Sequence, residues 1–449
     1  MIKNYLIISL LCSFIGFSQF NTSAPWMSEV KTAKQGQATI DEQVEAFNHY
    51  WSTRDKNVRG SGFKPFMRWE YHWRNYTNEQ GYIVSSDEFW DAWRQKNQSK
   101  TNRSATMSLP VSNWQPIGPF THTNTGSWSS GQGRVNIVHV DPSNPNTIYL
   151  GSPAGGIWKS TNNGTTWTPL TDELPQIGVS GIAVDYSNSN VIYIATGDKD
   201  AGDSYSVGVY KSTNGGVTWN PTGTMGGSNP SRAGDIVIHP TNNQILWCAT
   251  NNGIYKTTNA GTSWTQVQSG NFSQGNIRLK PGDPNTVYAV SNNRFFRSTD
   301  SGTTFSMITT GLPTASGRLL LDVTPANANY IYILSATTGS GFQGIYRSID
   351  GGTTFTARNT TTDVFESNQA WYDLALAVSS TNAEEIYTGC LNVWKSTSGG
   401  TSATKINNWS NPSGPSYTHA DIHYLGFHGT KLFAGTDGGI YVSENNGIN

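Results

Sequence analysis

The 449-residue sequence predicts an all-β fold, a seven-bladed β-propeller, behind a small α-helical N-terminal region. Three observations carry this. A phrase of the type STNNGTTW recurs in strong form from Ser160, Ser212, Thr257, Ser298 and Ser348, with weaker copies from Ser396 (STSGGTSA) and Ser443 (SENNGIN). The starts lie 41 to 52 residues apart, room for the four short strands of one propeller blade. Gly, Ser, Thr and Asn are abundant and aromatics reach 12%, the mix of a turn-rich β protein and not of a disordered one.

The first 18 residues read as a secretory signal peptide. Lys3 supplies the positive start, Tyr5 to Phe17 the apolar run, and Gly16 and Ser18 the small residues ahead of a cut before Gln19. Leu11 stands where a lipoprotein signal needs a small residue before Cys12, and the run is too short to remain as a transmembrane span. The expected destination is the medium or the outer cell surface. Cys248 and Cys390 remain after the cut, in apolar strand-like segments of different repeats, and are expected as buried free thiols.

Residues 19–111 carry helical periodicity. Thr39 and Glu42 form a capping box ahead of Ile40, Val44, Phe47 and Trp51 on one face. Phe66, Trp69, Trp73 and Tyr76 form a second stripe, and a second capping box, Ser85 to Glu88, precedes Phe89, Trp90 and Trp93. These stripes predict packing surfaces, and a helical region docked on the body that follows.

Residues 112–449 are read as the propeller. In each repeat an apolar inner strand ends in a turn such as DPSNPN (141–146). A second strand with a central aromatic follows: Tyr149, Tyr193, Trp247, Tyr288, Tyr332, Tyr387 or Phe433. A third strand of the type GIWKS leads into the eight-letter box, whose Trp or Phe opens the fourth. The hydroxyl and the Asp or Asn of the box can bond local backbone, Gly relieves a left-handed position, and the aromatic packs between blades. The last repeat stops inside its box, so SNWQPIG at 112–118, with Trp114 matching Trp167, is the predicted strand that closes the ring.

The box resembles the Asp-box, or BNR, repeat of sialidases, sortilin-type propellers and the xyloglucanase family of glycoside hydrolases. The resemblance covers about three quarters of the chain and marks the fold without carrying chemistry. It also implies kinship with secreted Bacteroidetes proteins that carry more blades and a sorting domain for type IX secretion.

A net charge of -1, with 13% charged residues, gives no electrostatic reason to expect nucleic acid. The candidate residues avoid the box side of the ring. The long second-to-third connection TGDKDAGDSY (196–205) offers Asp198, Asp200 and Asp203, either as oxygen ligands for calcium or as a solvated acidic loop. HADIH (419–423) places His419, Asp421 and His423 on one side if it starts a strand, as ligands for zinc or another divalent ion, as a proton-transfer set, or as a hydrogen-bonded polar cluster. QAWYD offers Trp371, Tyr372 and Asp373, suited to sugar stacking and hydroxyl recognition, with core packing of Trp371 the blander reading. Arg134 and Arg232 begin inner strands and either line the channel or serve structural hydrogen bonds. These groups are expected to converge on one rim of the channel.

Tested against the resembled enzymes, the pattern is incomplete. A sialidase-like site implies an Arg-Ile-Pro segment, an arginine cluster and a Tyr–Glu pair; Arg-Ile-Pro does not occur and Glu is scarce in the blades. A xyloglucanase-like site implies an aspartate in an early TDxGG segment, where this sequence has SPAGG with Pro153. TDGG appears only at 436–439, which keeps Asp437 as an out-of-place candidate contact. The reading is therefore a secreted glycan- or protein-binding module. A glycoside hydrolase, which needs two carboxylates at a defined separation, is the first alternative, and a structural scaffold the second.

Overall fold

The computed structural model describes residues 24–30, 38–58, 61–101, 131–175 and 177–449. Signal segment 1–18 and closing-strand segment 112–118 lie outside them. Contacts divide the chain into units 1–107 and 108–449.

In the first unit, helix α1 (Ile40–Trp51) starts at Thr39 with both halves of the capping box formed. Phe47 and Trp51 of α1 pack with Trp26 and with Phe66 of α2 (Phe63–Trp73), and the Phe47 and Phe66 rings stack at 3.9 Å. The second aromatic stripe is only partly a packing surface: Phe66 is fully buried, whereas Tyr76 is exposed. Helix α3 (Ser86–Thr101) follows the Ser85–Glu88 capping box, which also forms.

The second unit is a seven-bladed propeller of antiparallel sheets, six four-stranded and the last three-stranded among the described residues. The inner strands run from Ile137–Val140 in blade one to Ile422–His428 in blade seven. Fourth strands can be as short as Thr168–Pro169 or Asn220–Pro221; proline is tolerated there because an outer edge needs no second ladder bond.

The predicted second-strand aromatics are all buried. In six blades each lies opposite a basic third-strand residue, from Tyr149 opposite Lys159 to Tyr387 opposite Lys395. Ammonium groups sit over the rings, Lys211 at 5.1 Å from the Tyr193 centroid. Tyr193, Tyr288 and Tyr387 donate hydroxyl bonds to box carbonyls of the next blade, at 3.2, 3.2 and 2.8 Å.

The boxes are turn motifs. In blade two, Gly216 N–H donates to the Ser212 hydroxyl at 2.9 Å and Thr218 N–H to the Asn214 side chain at 2.9 Å. Gly216 has φ +94°, and a Cβ there would fall 2.5 Å from Leu170 of the preceding blade, so both conformation and space demand glycine. Ring closure is carried by Val135 N–H donating to the Thr436 carbonyl at 3.0 Å and by Val135 packing on Phe433. Cys248 and Cys390 are free and buried.

Candidate functional site

The connection 197–208 of blade two folds back on Asp198. The carboxylate of Asp198 accepts backbone N–H bonds from Ala201 and Asp203, each at 3.0 Å, which winds the insertion into a compact turn. Asp198 also reaches blade one: Arg134 Nη2 lies at 2.7 Å and Asn136 Nδ2 at 2.9 Å. Asp203 contacts the same guanidinium at 3.1 Å.

Asp200, the third carboxylate of the insertion, points inward and is buried. Its oxygens meet Arg318 Nη2 at 2.7 Å and His423 Nδ1 at 2.8 Å. Burial alone would raise its pKa, but Arg318, Lys199 and His423 outweigh burial and hold it well below the carboxylate range. His423 is itself fully enclosed, with Nε2 2.9 Å from Asp437 Oδ1. Burial would lower the imidazole pKa, yet the hydrogen bonds to Asp200 and Asp437 push it up to about 8, so the ring is an imidazolium at neutral pH. Asp437 is held low against its burial by His423, Tyr372 and Arg134. The Tyr372 hydroxyl reaches both Asp437 oxygens, at 2.9 and 2.8 Å, while the Arg134 guanidinium lies 5.2 Å from the Tyr372 ring centre.

The segment before blade six is pinned to this network. Gln274 Nε2 donates to the Trp371 carbonyl at 2.7 Å and Arg318 Nη1 to the Ala370 carbonyl at 3.1 Å. Held this way, Trp371 is 52% exposed, which replaces the expected core packing by a surface aromatic. Asp373 is fully buried, and burial together with the Asp421 charge pushes its pKa up to about 8. Gln369 Nε2 bridges Asp373 at 3.3 Å and Asp421 at 2.5 Å. The Asp421 pKa is raised by burial and by the Asp437 charge.

The structure thus brings together Arg134, Asp198, Asp200, Asp203, Tyr372, Asp373, Asp421, His423 and Asp437. Arg232 stands at the edge of the set: it packs against Gly202 of the insertion, and its backbone bonds to Asn251. The alternation expected of HADIH fails. The inner strand begins only at Ile422, and Asp421 has φ +63°, so the three do not alternate along one strand; the His419 ring packs on Gly438, its Nδ1 faces the Ala420 carbonyl, and it lies close enough to Asp421 to favour that carboxyl's ionised form. Among the described residues no group of three His, Cys, Asp or Glu is arranged to hold a metal ion, and Asp198 and Asp200 already face guanidinium groups.

Arg318, Gln274 and Gln369 belong to the site and were missed. A signal for Arg318 was available: GRLLLDV opens an inner strand just as GRVNIVHV does around Arg134.

No protein-family model matches the chain. Over 143 residues it is 29% identical to a xyloglucanase of a Paenibacillus species, and over 103 residues 31% identical to the xyloglucanase Xgh74A of Acetivibrio thermocellus. These stretches cover 29% and 18% of this chain but only 14% and 11% of those proteins. Among solved structures, an ancestral GH74 enzyme matches with TM-score 0.56 at 20% identity over 75% of this chain, and the GH74 xyloglucanase of Xanthomonas campestris with TM-score 0.53 at 16% identity over 72%. The chain spans about half of each, 47% and 53%. At these identities the likeness to solved structures is one of fold: a seven-bladed propeller similar to those of GH74 xyloglucanases.

Proposed function

We propose that this exported chain is a glycan-processing propeller of glycoside hydrolase type, and that it holds a glycan at the channel mouth carrying Trp371, Tyr372, Asp421 and Asp437. One observation supports this most: the exposed Trp371 indole adjoins Tyr372, whose hydroxyl bonds Asp437, and the pKa values of Asp421 and Asp437 are shifted in opposite directions by their surroundings. Such a split divides acid from base between two like groups. Asp421, raised, is the proton donor to a leaving oxygen; Asp437, held ionised, is the base or nucleophile. The indole supplies an apolar face for a sugar ring. The positive φ of Asp421 fits a strained functional residue. The partial identity to named xyloglucanases makes a β-glucan of that kind the first substrate to try.

A second reading, glycan binding without turnover, is favoured by the Asp437 contacts: both oxygens are engaged by Tyr372 and one also by His423. Release of reducing ends from xyloglucan separates the two. Under the hydrolase reading the protein releases them, and Asp437→Asn and Asp421→Asn each cut the rate by at least about a hundredfold. Binding with no release selects the binding module. Neither binding nor release rejects both.

A further inference from the structure

The channel opens at its other end, on the box side, into a cavity of about 710 Å³ to which every one of the seven inner strands contributes. Its floor is an ion-pair layer: Arg278 reaches Asp322 at 3.0 Å and Asp235 at 3.3 Å. Blades three to five present aliphatic side chains, Val237, Leu279 and Val323. Across the ring, blades seven and one present His139, Tyr424 and His428. The Tyr424 hydroxyl lies 2.9 Å from His428 Nε2, and the His139 and His428 ring centres are 6.1 Å apart. His139 Nε2 is buried without a hydrogen-bond partner, a polar atom that natural interiors rarely leave unpaired. A separate gap of about 40 Å³ inside the ring is lined by Lys199 and His423 and shares Arg278 and Tyr424 with this cavity. That gap is enough for a water molecule and too small for a ligand.

We infer that this cavity is a second binding site, separate from the glycan mouth, for an uncharged amphipathic small molecule with an aromatic or aliphatic body and one hydroxyl or amide. The volume is that of a small-molecule pocket, and the mixed lining, aliphatic on one side with His139, Tyr424 and His428 on the other, suits an amphipathic ligand. An anionic ligand finds no open countercharge. Burial, with the neighbouring His428, holds His139 down to about 3, and His428 lies at about 4 through burial and Arg278, so both rings are neutral at pH 7. Arg278 is already shared by two aspartates, and the net charge of that floor layer disfavours anions.

Equilibrium dialysis of 2-naphthol against 2-naphthoate tests this, since the two share a body and differ in charge. One saturable 2-naphthol site is expected, with 2-naphthoate weaker by about tenfold or more. Thr430→Trp, at an exposed position on the cavity rim, should block entry; His139→Phe should weaken 2-naphthol about fivefold; Trp371→Ala should leave it unchanged. Melting curves establish that each variant folds, and if Thr430→Trp does not, His139→Phe is read alone. The inference is overturned by non-saturable uptake, by equal binding of the two probes, or by binding that ignores both cavity substitutions. Loss of 2-naphthol on Trp371→Ala would place the probe at the glycan mouth instead.

Discussion

Asp373 has no solvent access, and its proton is retained up to about pH 8. In the unfolded chain the same carboxyl ionises near the ordinary value of 3.8, so between pH 3.8 and 8 the native state binds the extra proton and loses stability as pH rises. Asp373→Asn removes this linkage. It should stabilise the protein by about 2–4 kcal/mol at pH 7 and much less at pH 4, read from melting temperatures at the two pH values. An unchanged pH slope would show that Asp373 is ionised in the folded state. His423 is a further alkaline-sensitive group. Its pKa of about 8 exceeds the ordinary 6.5, so its contribution is fully present below pH 6.5 and is lost as pH rises through 8. His423→Gln should flatten that part of the stability profile, while leaving Asp200 and Asp437 without their shared cation.

At the scale of the blade, the box stabilises through its aromatic and its turn together. Trp219 and Trp264 are buried, and their indole N–H groups donate to the Leu170 carbonyl at 3.0 Å and the Thr222 hydroxyl at 3.1 Å in the preceding blade. Trp167 is only half-buried. Alanine at Trp219 or Trp264 should therefore cost about 3–5 kcal/mol, and at Trp167 clearly less. Equal losses at all three by chemical denaturation would mean that interblade packing does not set the cost. These elements were legible because period, aromatic and glycine are local features repeated many times. The basic residue opposite six of the seven second-strand aromatics was equally present in the sequence, as the K or R of GIWKS-type strands, but its pairing needs the cross-strand register to be seen.

Across the whole molecule, the site was legible as a set of loops and not as a set of partners. Asp200 and His423 are separated by 223 positions, and only ring closure brings blade two to blade seven. The HADIH pattern misled because one left-handed residue, Asp421, cancels strand alternation, and sequence does not announce that φ. Trp371 was hard to place because its exposure depends on Gln274 and Arg318 holding the adjoining carbonyls. The central claim is that glycan is held at this mouth, with Trp371 as its platform. The direct test is the affinity for xyloglucan oligosaccharide, by isothermal titration, of the wild-type chain and of Trp371→Ala. The exposed indole can be removed without opening the core, so folding should be retained. The account predicts saturable binding that weakens by at least about tenfold in Trp371→Ala, as expected for loss of a stacked ring. Undiminished affinity in that variant, with melting unchanged, would contradict it.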